Sequence, residues 1–113
     1  MRHDEASLLD IMQAAQLILQ FAQGLSREQL STDIRTQSAI LYQITILGEA
    51  TKRLSRQFRE LHPQIPWGDM AGMRDIVAHQ YDRIDLDIVW QVTQRNIPQI
   101  VESLAPLLPA VDG

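Results

Sequence analysis

The residues best suited to chemistry lie close together in the second half of the chain. Arg74, His79 and Tyr81 place a cation, an acid–base group and a hydroxyl within the stretch 74–81. An arginine and a histidine could serve the cleavage of RNA by its own 2′-hydroxyl, which needs a base, an acid and a counter-charge for the transition state. A histidine at the end of a helix is more often a capping or dipole interaction, so both interpretations stay open.

Two geometric conditions limit this chemistry. Five residues along an ideal helix rotate a side chain by about 140°, so either Arg74 reaches round the helix or the helix loosens near His79. One histidine cannot conveniently be both acid and base in a single turnover, because the two roles start from opposite protonation states. We therefore predict a homodimer in which this segment from two subunits faces a shared groove.

A second local feature is a group of cations in the stretch 51–60. Lys52, Arg53, Arg56 and Arg59, set against Glu60, give a local charge of +3 in a chain whose net charge is −4. The acidic total argues against whole-surface attraction to nucleic acid, so any RNA has to be held by a local patch. The helical spacing of three of these cations suggests a face that follows a phosphate backbone. Cations that complement a helix C-terminus are the alternative.

Other kinds of site have little support. The chain has no cysteine, which excludes thiolate metal sites and cysteine nucleophiles. No histidine–carboxylate spacing indicates a metal centre and no glycine-rich phosphate loop occurs, so we expect neither a metal nor a cofactor. Trp67, Trp90, Met70 and Met73 could line a ligand pocket, but residues at this helical spacing are more often core.

The elements that must position these residues are helical. Apolar periodicity predicts a first helix over 7–22, stopped by Gly24, and a connector or short turn over 26–32. A second helix of almost thirty residues starts near the cluster Ser31, Thr32 and Asp33, any of which could cap it. It contains Gly48, so either the helix is locally weak there or, as we favour, another helix packs closely against it. The prolines of the stretch 62–66 form a loop, and a third helix follows over 67–79. Asp85 caps a last helix, which Pro98 kinks.

These elements predict one domain over 1–113, an all-α, up-and-down four-helix bundle with a kinked last helix. Its 113 residues suit a single core. The hydrophobic share of 45% and the charged share of 21% are typical of a globular protein. No apolar run has the ~18 residues of a membrane span, and the acidic N-terminus does not match a signal peptide. We therefore expect a cytoplasmic protein with no membrane association.

The string RDIVAHQY at residues 74–81 resembles the Arg-x4-His-x-Tyr signature of the HEPN superfamily, and its surroundings resemble the HepT-like branch. Residues 46–50 are similar to that branch's Ile-Gly-Glu-Ala segment. Residues 65–67 and 71–74 are similar to its lead into the motif, and residues 85–90 to the start of its last helix. The resemblance covers about residues 8–108. Asp75 departs from it, because a polar residue, often asparagine, is usual there and an acid could lower RNA affinity.

The resemblance implies a helical bundle that dimerises and acts as a metal-independent endoribonuclease, the toxin of a type VII-like toxin–antitoxin pair. Arg74 and His79 would be catalytic and Tyr81 an accessory. A minimal nucleotidyltransferase antitoxin would neutralise the toxin, in some pairs by transferring AMP onto the tyrosine at this position. Glu49 matches a family position, where it would pair with Arg74 or with one of the nearby cations Lys52 and Arg53.

Two rival functions stay open at this stage. In the first, the bundle is a non-catalytic interaction or nucleotide-binding module whose motif only helps to form the dimer. In the second, it recognises a partner and has no role as a toxin. Loss of RNA cleavage in His79→Ala would distinguish the ribonuclease from the first rival, and a nucleotidyltransferase encoded alongside would distinguish it from the second.

Overall fold

The computed structural model describes residues 2–80 and 83–109, with the side chains at positions 2, 78–80 and 83 outside that description. The all-α prediction is confirmed. Within the described ranges, the only strands are two short ones that pair with each other in antiparallel fashion. In chain order the elements are α1 (Arg2–Ala22), α2 (Arg27–Thr32), α3 (Ile34–Arg53), α4 (Arg56–Leu61), α5 (Trp67–Ala71), α6 (Met73–Val77), β1 (Ala78–Gln80), β2 (Arg83–Ile84), α7 (Leu86–Gln91), a π-helical turn (Val92–Asn96), α8 (Ile97–Leu104) and a 3-10 turn (Ala105–Leu107).

The first helix begins earlier than its apolar pattern predicted. His3 lies inside α1 with its Nε2 2.7 Å from the carbonyl oxygen of Arg53. Asp4 is buried and accepts hydrogen bonds of 2.8 Å from both the backbone N–H and the hydroxyl of Ser55. These contacts tie the start of α1 to the end of α3. The predicted stop is confirmed, since Gly24 has a φ of +78°, which favours glycine.

The second predicted helix is two helices. Of the three candidate caps at positions 31–33, Asp33 is the one that caps α3, accepting a hydrogen bond of 3.0 Å from the N–H of Thr36. The expectation of one helix of almost thirty residues was wrong, because Leu54 is extended and Ser55 caps the new helix α4. Since the carboxylate of Asp4 accepts hydrogen bonds from the backbone N–H and the hydroxyl of Ser55, a contact from α1 stabilises this break.

The third predicted helix is also shorter than expected. In place of one helix over 67–79, the chain forms α5 and α6, which are separated at Gly72. The helical path ends at Val77. Ala78 in β1 then pairs with Ile84 in β2, and the N–H of Asp85 donates to the carbonyl of Val77 at 2.9 Å. The backbone of residue 79 therefore lies in a strand and not in a helix.

The last helix has the predicted cap and the predicted irregularity. The carboxylate of Asp85 accepts from the N–H groups of Asp87 and Ile88 at 3.1 Å each. Between α7 and α8 the chain widens into a π-turn, in which the N–H of Ile97 donates to the carbonyl of Val92. Pro98 has no N–H and its ring would clash with the carbonyl four residues earlier, so a wider turn before it relieves both problems.

The core forms where α1 packs along α3, with α8 against α1 and α5 and α6 against α3. Its largest fully buried side chains are almost all aliphatic and come from every α-helix except α4. They are Leu8, Ile11, Ile18, Leu30, Ile40, Ile44, Leu47, Met70, Val77, Val89, Ile97 and Leu104. Burial of these side chains supplies most of the stabilisation of the bundle. None of the described helices is both long enough and apolar enough to cross a membrane.

Candidate functional site

Arg74 presents a cation at the surface of the short helix α6. Its side chain is 55% exposed, and the one carboxylate within 4.0 Å among the described residues is that of Asp75, at 3.9 Å. Asp75 is itself 85% exposed, so water screens this pair and it contributes little free energy. The guanidinium therefore remains available to an anionic ligand such as a phosphodiester.

The position of His79 depends on where α6 stops. Had the helix continued to residue 79, the two candidate side chains would leave it about 140° apart. The helix ends at Val77, and residues 78–80 run as an extended strand paired with residues 83–84. Of the two routes that the spacing allows, the loosened helix is therefore the one observed. The side chain of His79, and all of Tyr81, lie outside the described residues.

A close helix contact sets α5 beside α3. A Cβ atom built on Gly48 would lie 3.1 Å from the carbonyl oxygen of Ala71, tighter than ordinary van der Waals contact. The prediction that Gly48 permits close packing is confirmed. The contact places α5, and with it the segment that carries Arg74, against the part of α3 that carries Glu49.

Glu49 does not bind Arg74 directly. Its carboxylate lies 3.5 Å from the Nζ of Lys52, and both side chains are more than half exposed. Among the alternatives that the sequence left open, the structure thus selects a local pair within α3. Arg74 and Glu49 are on adjacent elements but have different ionic partners.

The cationic stretch is less uniform than its spacing suggested. Lys52 and Arg53 belong to the last turn of α3 and Arg56 and Arg59 to α4, so the break at Leu54 and Ser55 prevents them from sharing one continuous helical face. Acids lie close to three of these cations, in pairs that join Lys52 to Glu49, Arg53 to Asp10 at 3.9 Å and Arg56 to Glu60 at 3.0 Å.

Arg59 differs from the other three cations. In the part of the chain that the structure describes, it forms no ion pair, and its Nε atom is buried without a hydrogen-bond partner. The side chain as a whole is partly buried. Of the four candidates for RNA contact, Arg59 is therefore the one that has no carboxylate to release among the described residues before it binds a phosphate.

An aromatic cluster that was not predicted from the sequence supports the loop that leads into α5. The ring of Phe58 lies 4.7 Å from that of His62 and 6.0 Å from that of Trp67, measured between centroids. The indole N–H of Trp67 donates to the carbonyl of His62 at 2.9 Å. The spacing of four residues between Phe58 and His62 could have indicated this packing. Trp67 is buried, as its interpretation as a core residue requires.

Two acidic residues that follow the motif, Asp85 and Asp87, have structural partners. Asp87 forms an ion pair of 2.8 Å with Arg27, which joins α7 to α2, and Asp85 caps α7. Across the described residues, no group of three or more histidines and carboxylates is arranged to hold a metal ion.

Comparisons with known proteins bear on this site. A family model described as ribonuclease HepT-like matches residues 11–107, a range that includes every candidate site residue. A Thermococcus cleftensis protein named “Probable ribonuclease HepT” is 38% identical over 82% of this chain and 84% of its own length. A “Putative RNase” of Caldanaerobacter subterraneus is 32% identical over 87% of this chain and 88% of its own length.

A third relative is a longer protein. It comes from Methanocaldococcus jannaschii, is named “Gamma-glutamylcyclotransferase and putative RNase”, and is 33% identical over 99% of this chain. The chain spans 51% of the length of that relative. No solved structure matches the chain.

Proposed function

Because the chain belongs to the HepT-like ribonuclease family of the HEPN superfamily, we propose that it is an endoribonuclease that cleaves RNA without a metal ion. The observation that carries the proposal is the exposed guanidinium of Arg74, held by α6 immediately before the helix gives way to the strand that contains His79. An arginine and a histidine so close along the chain supply a counter-charge and a proton-transfer group.

The proposed reaction is attack of a ribose 2′-hydroxyl oxygen on the adjacent phosphorus. One imidazole removes the 2′-hydroxyl proton while a second, protonated imidazole donates a proton to the departing 5′-oxygen. The P–O bond to the 5′-oxygen breaks as the new P–O bond forms, which leaves a 2′,3′-cyclic phosphate and a 5′-hydroxyl. The guanidinium of Arg74 stabilises the charge that develops on the non-bridging phosphate oxygens.

The two imidazoles come from two copies of the chain. Each chain has one histidine in the motif, and His3 and His62 already contact Arg53 and Phe58. We propose a homodimer in which each subunit contributes its own Arg74 and His79 to a composite site. A variant held as a monomer is then inactive even though it is folded.

We further propose that the protein is a toxin whose activity is controlled by a minimal nucleotidyltransferase antitoxin in a type VII-like pair. Transfer of AMP from ATP onto the hydroxyl of Tyr81 releases pyrophosphate and adds bulk and negative charge beside the site. Both changes oppose the entry of an RNA phosphate. Mass spectrometry of the protein after incubation with the antitoxin and ATP tests this step, and an unchanged mass of the peptide that contains Tyr81 would remove it.

The test of catalysis is cleavage of a labelled RNA by the purified protein, with and without EDTA. His79→Ala is expected to abolish cleavage, and Arg74→Lys to lower it by about 10²-fold, because a lysine cannot reproduce the bidentate contact of a guanidinium. Arg35→Lys is the matched control, since Arg35 is exposed at the start of α3. Equal cleavage by His79→Ala and the unmodified protein, at unchanged helicity and mass, would refute the proposal.

A further inference from the structure

A groove runs between the α5–α6 segment and the last helices. Two cavities of about 320 and 370 Å³ lie end to end there, and because both are lined by Asp69, Met73 and Asn96 they form one continuous surface. We call it the α5–α8 groove. From Ile88 to Ser103 it follows sixteen residues of α7, the π-turn and α8, a length of roughly 20 Å at the helical rise.

The floor of the α5–α8 groove is apolar. Met70, Met73 and Ile100 line its base with 1–5% of their surface exposed, and Ile76 stands at one end with 48% of its surface exposed. Methionine side chains adapt their shape to different apolar partners, which suits a surface that binds a side chain from another molecule. A groove about four helical turns long with such a floor matches the dimensions of a docked amphipathic helix.

The rim of the groove is acidic. Asp69 and Glu102 are both exposed, and neither forms a salt bridge within the described part of the chain. The other polar lining residues are uncharged, namely Gln91, Asn96, Gln99 and Ser103. Among the residues that the structure describes, the lining thus combines two negative charges with no cation.

The groove lies apart from the proposed reaction site. Met73 and Ile76 of α6 line it, whereas Arg74 between them does not. Successive residues of a helix project in different directions, so α6 presents its apolar residues to the groove and its cation elsewhere. A ligand in the groove therefore need not displace RNA.

We propose that the α5–α8 groove is the docking site for a basic amphipathic helix of a partner protein. Apolar side chains of that helix, spaced three and four residues apart, cover Ile76 and enter the cavities beside Met73. Its lysines or arginines pair with Asp69 and Glu102. RNA is a poor occupant, because carboxylates at the rim repel phosphates. A second copy docked about a two-fold axis on the groove would bring like charges together.

The proposal is tested by selecting from a displayed library of sixteen-residue peptides that share a helical apolar pattern and have randomised charges. The target is the full chain. Basic peptides are expected to be enriched, and in the variant Asp69→Lys/Glu102→Lys their affinity is expected to fall by at least about five-fold. Glu5→Lys/Glu28→Lys is the matched control, since it changes the net charge equally at two exposed acids that do not line the groove.

Two further measurements decide between occupants. Backbone amide shifts of the unmodified protein are expected to move along the α5–α8 groove when a selected peptide is added, a result that does not depend on any variant. Shifts elsewhere, enrichment of acidic peptides, or no enrichment at all would overturn the proposal. So would a change in the oligomeric mass of Asp69→Lys/Glu102→Lys, because that outcome would mean that a second copy occupies the groove.

Discussion

Gly48 offers the sharpest test of how the fold positions the site. Its α-carbon faces the backbone of α5, and an added Cβ would lie 3.1 Å from the carbonyl oxygen of Ala71 and 3.6 Å from that of Met70. Because ordinary contacts begin near 3.4 Å, α3 and α5 would have to separate by a few tenths of an ångström in Gly48→Ala. Both opposing atoms are backbone and cannot rotate away.

Two opposing effects determine the stability of Gly48→Ala. Replacing a helical glycine by alanine stabilises by about 1 kcal/mol, whereas overpacking a tight contact costs about 1–3 kcal/mol. We therefore expect a net change between about zero and 2 kcal/mol of destabilisation. Gly68→Ala is the matched control, since no atom lies within 4 Å of the corresponding Cβ and only the stabilising effect applies.

Urea unfolding followed by circular dichroism measures this difference. At unchanged m-value, Gly68→Ala is expected to unfold at higher urea than the unmodified protein and Gly48→Ala at the same or lower urea. Each kcal/mol of difference corresponds to about 4 °C in the melting temperature for a domain of this size. If Gly48→Ala were stabilised as much as Gly68→Ala, the close approach would not be the reason for a glycine at position 48.

The same pair of variants has consequences for activity. Arg74 follows Ala71 by three residues, so a shift of α5 away from α3 moves the guanidinium relative to the rest of the site. Since small displacements of catalytic groups reduce rates strongly, RNA cleavage is expected to fall more in Gly48→Ala than in Gly68→Ala.

Three further predictions concern stability. Burial acts to raise the pKa of Asp4, but two hydrogen bonds from Ser55 and electrostatic attraction to His3 together outweigh it and hold the pKa below the usual value of 3.8. Asp4→Asn should therefore be less stable than the unmodified protein at pH 7. The difference in their free energies of unfolding should shrink as the pH falls below 3.8, and a difference that stays constant with pH would contradict this role. Ile44→Ala, in the fully buried layer of α3, should lose about 2–5 kcal/mol in urea unfolding. Arg27→Ala should lose less than about 1 kcal/mol of unfolding free energy, since its ion-pair partner Asp87 is 80% exposed to water. Salt screens such a pair, so a loss that persists in 0.5 M salt would contradict that reasoning.

Local chemistry made much of the fold predictable. Asp33 and Asp85 cap helices because a carboxylate satisfies N–H groups only two or three residues away, a pattern visible in the sequence itself. Gly24 and Pro98 act through their own backbone chemistry, so the end of α1 and the disturbance before α8 were also foreseeable.

The breaks in the second and third predicted helices were not foreseeable in this way. Apolar periodicity continues through Leu54, and only the contact of Asp4 with Ser55, 51 residues away in sequence, shows why α3 ends. Likewise α6 stops where the carbonyl of Val77 accepts a hydrogen bond from the N–H of Asp85 at the start of α7. Both stops involve bonds between segments that a local pattern does not connect.

The sequence by itself determined that this chain is helical, where α3, α5 and α7 begin, and which arginine and histidine are the candidates for action on RNA. These properties depend on neighbours within one or two turns. Tertiary structure alone decided that residue 79 leaves the helix and that Glu49 pairs with Lys52. It also decided that α6 separates its apolar groove from its cation. The physical reason is that hydrogen bonds and ion pairs depend on distances of a few ångströms, which only the packed chain establishes.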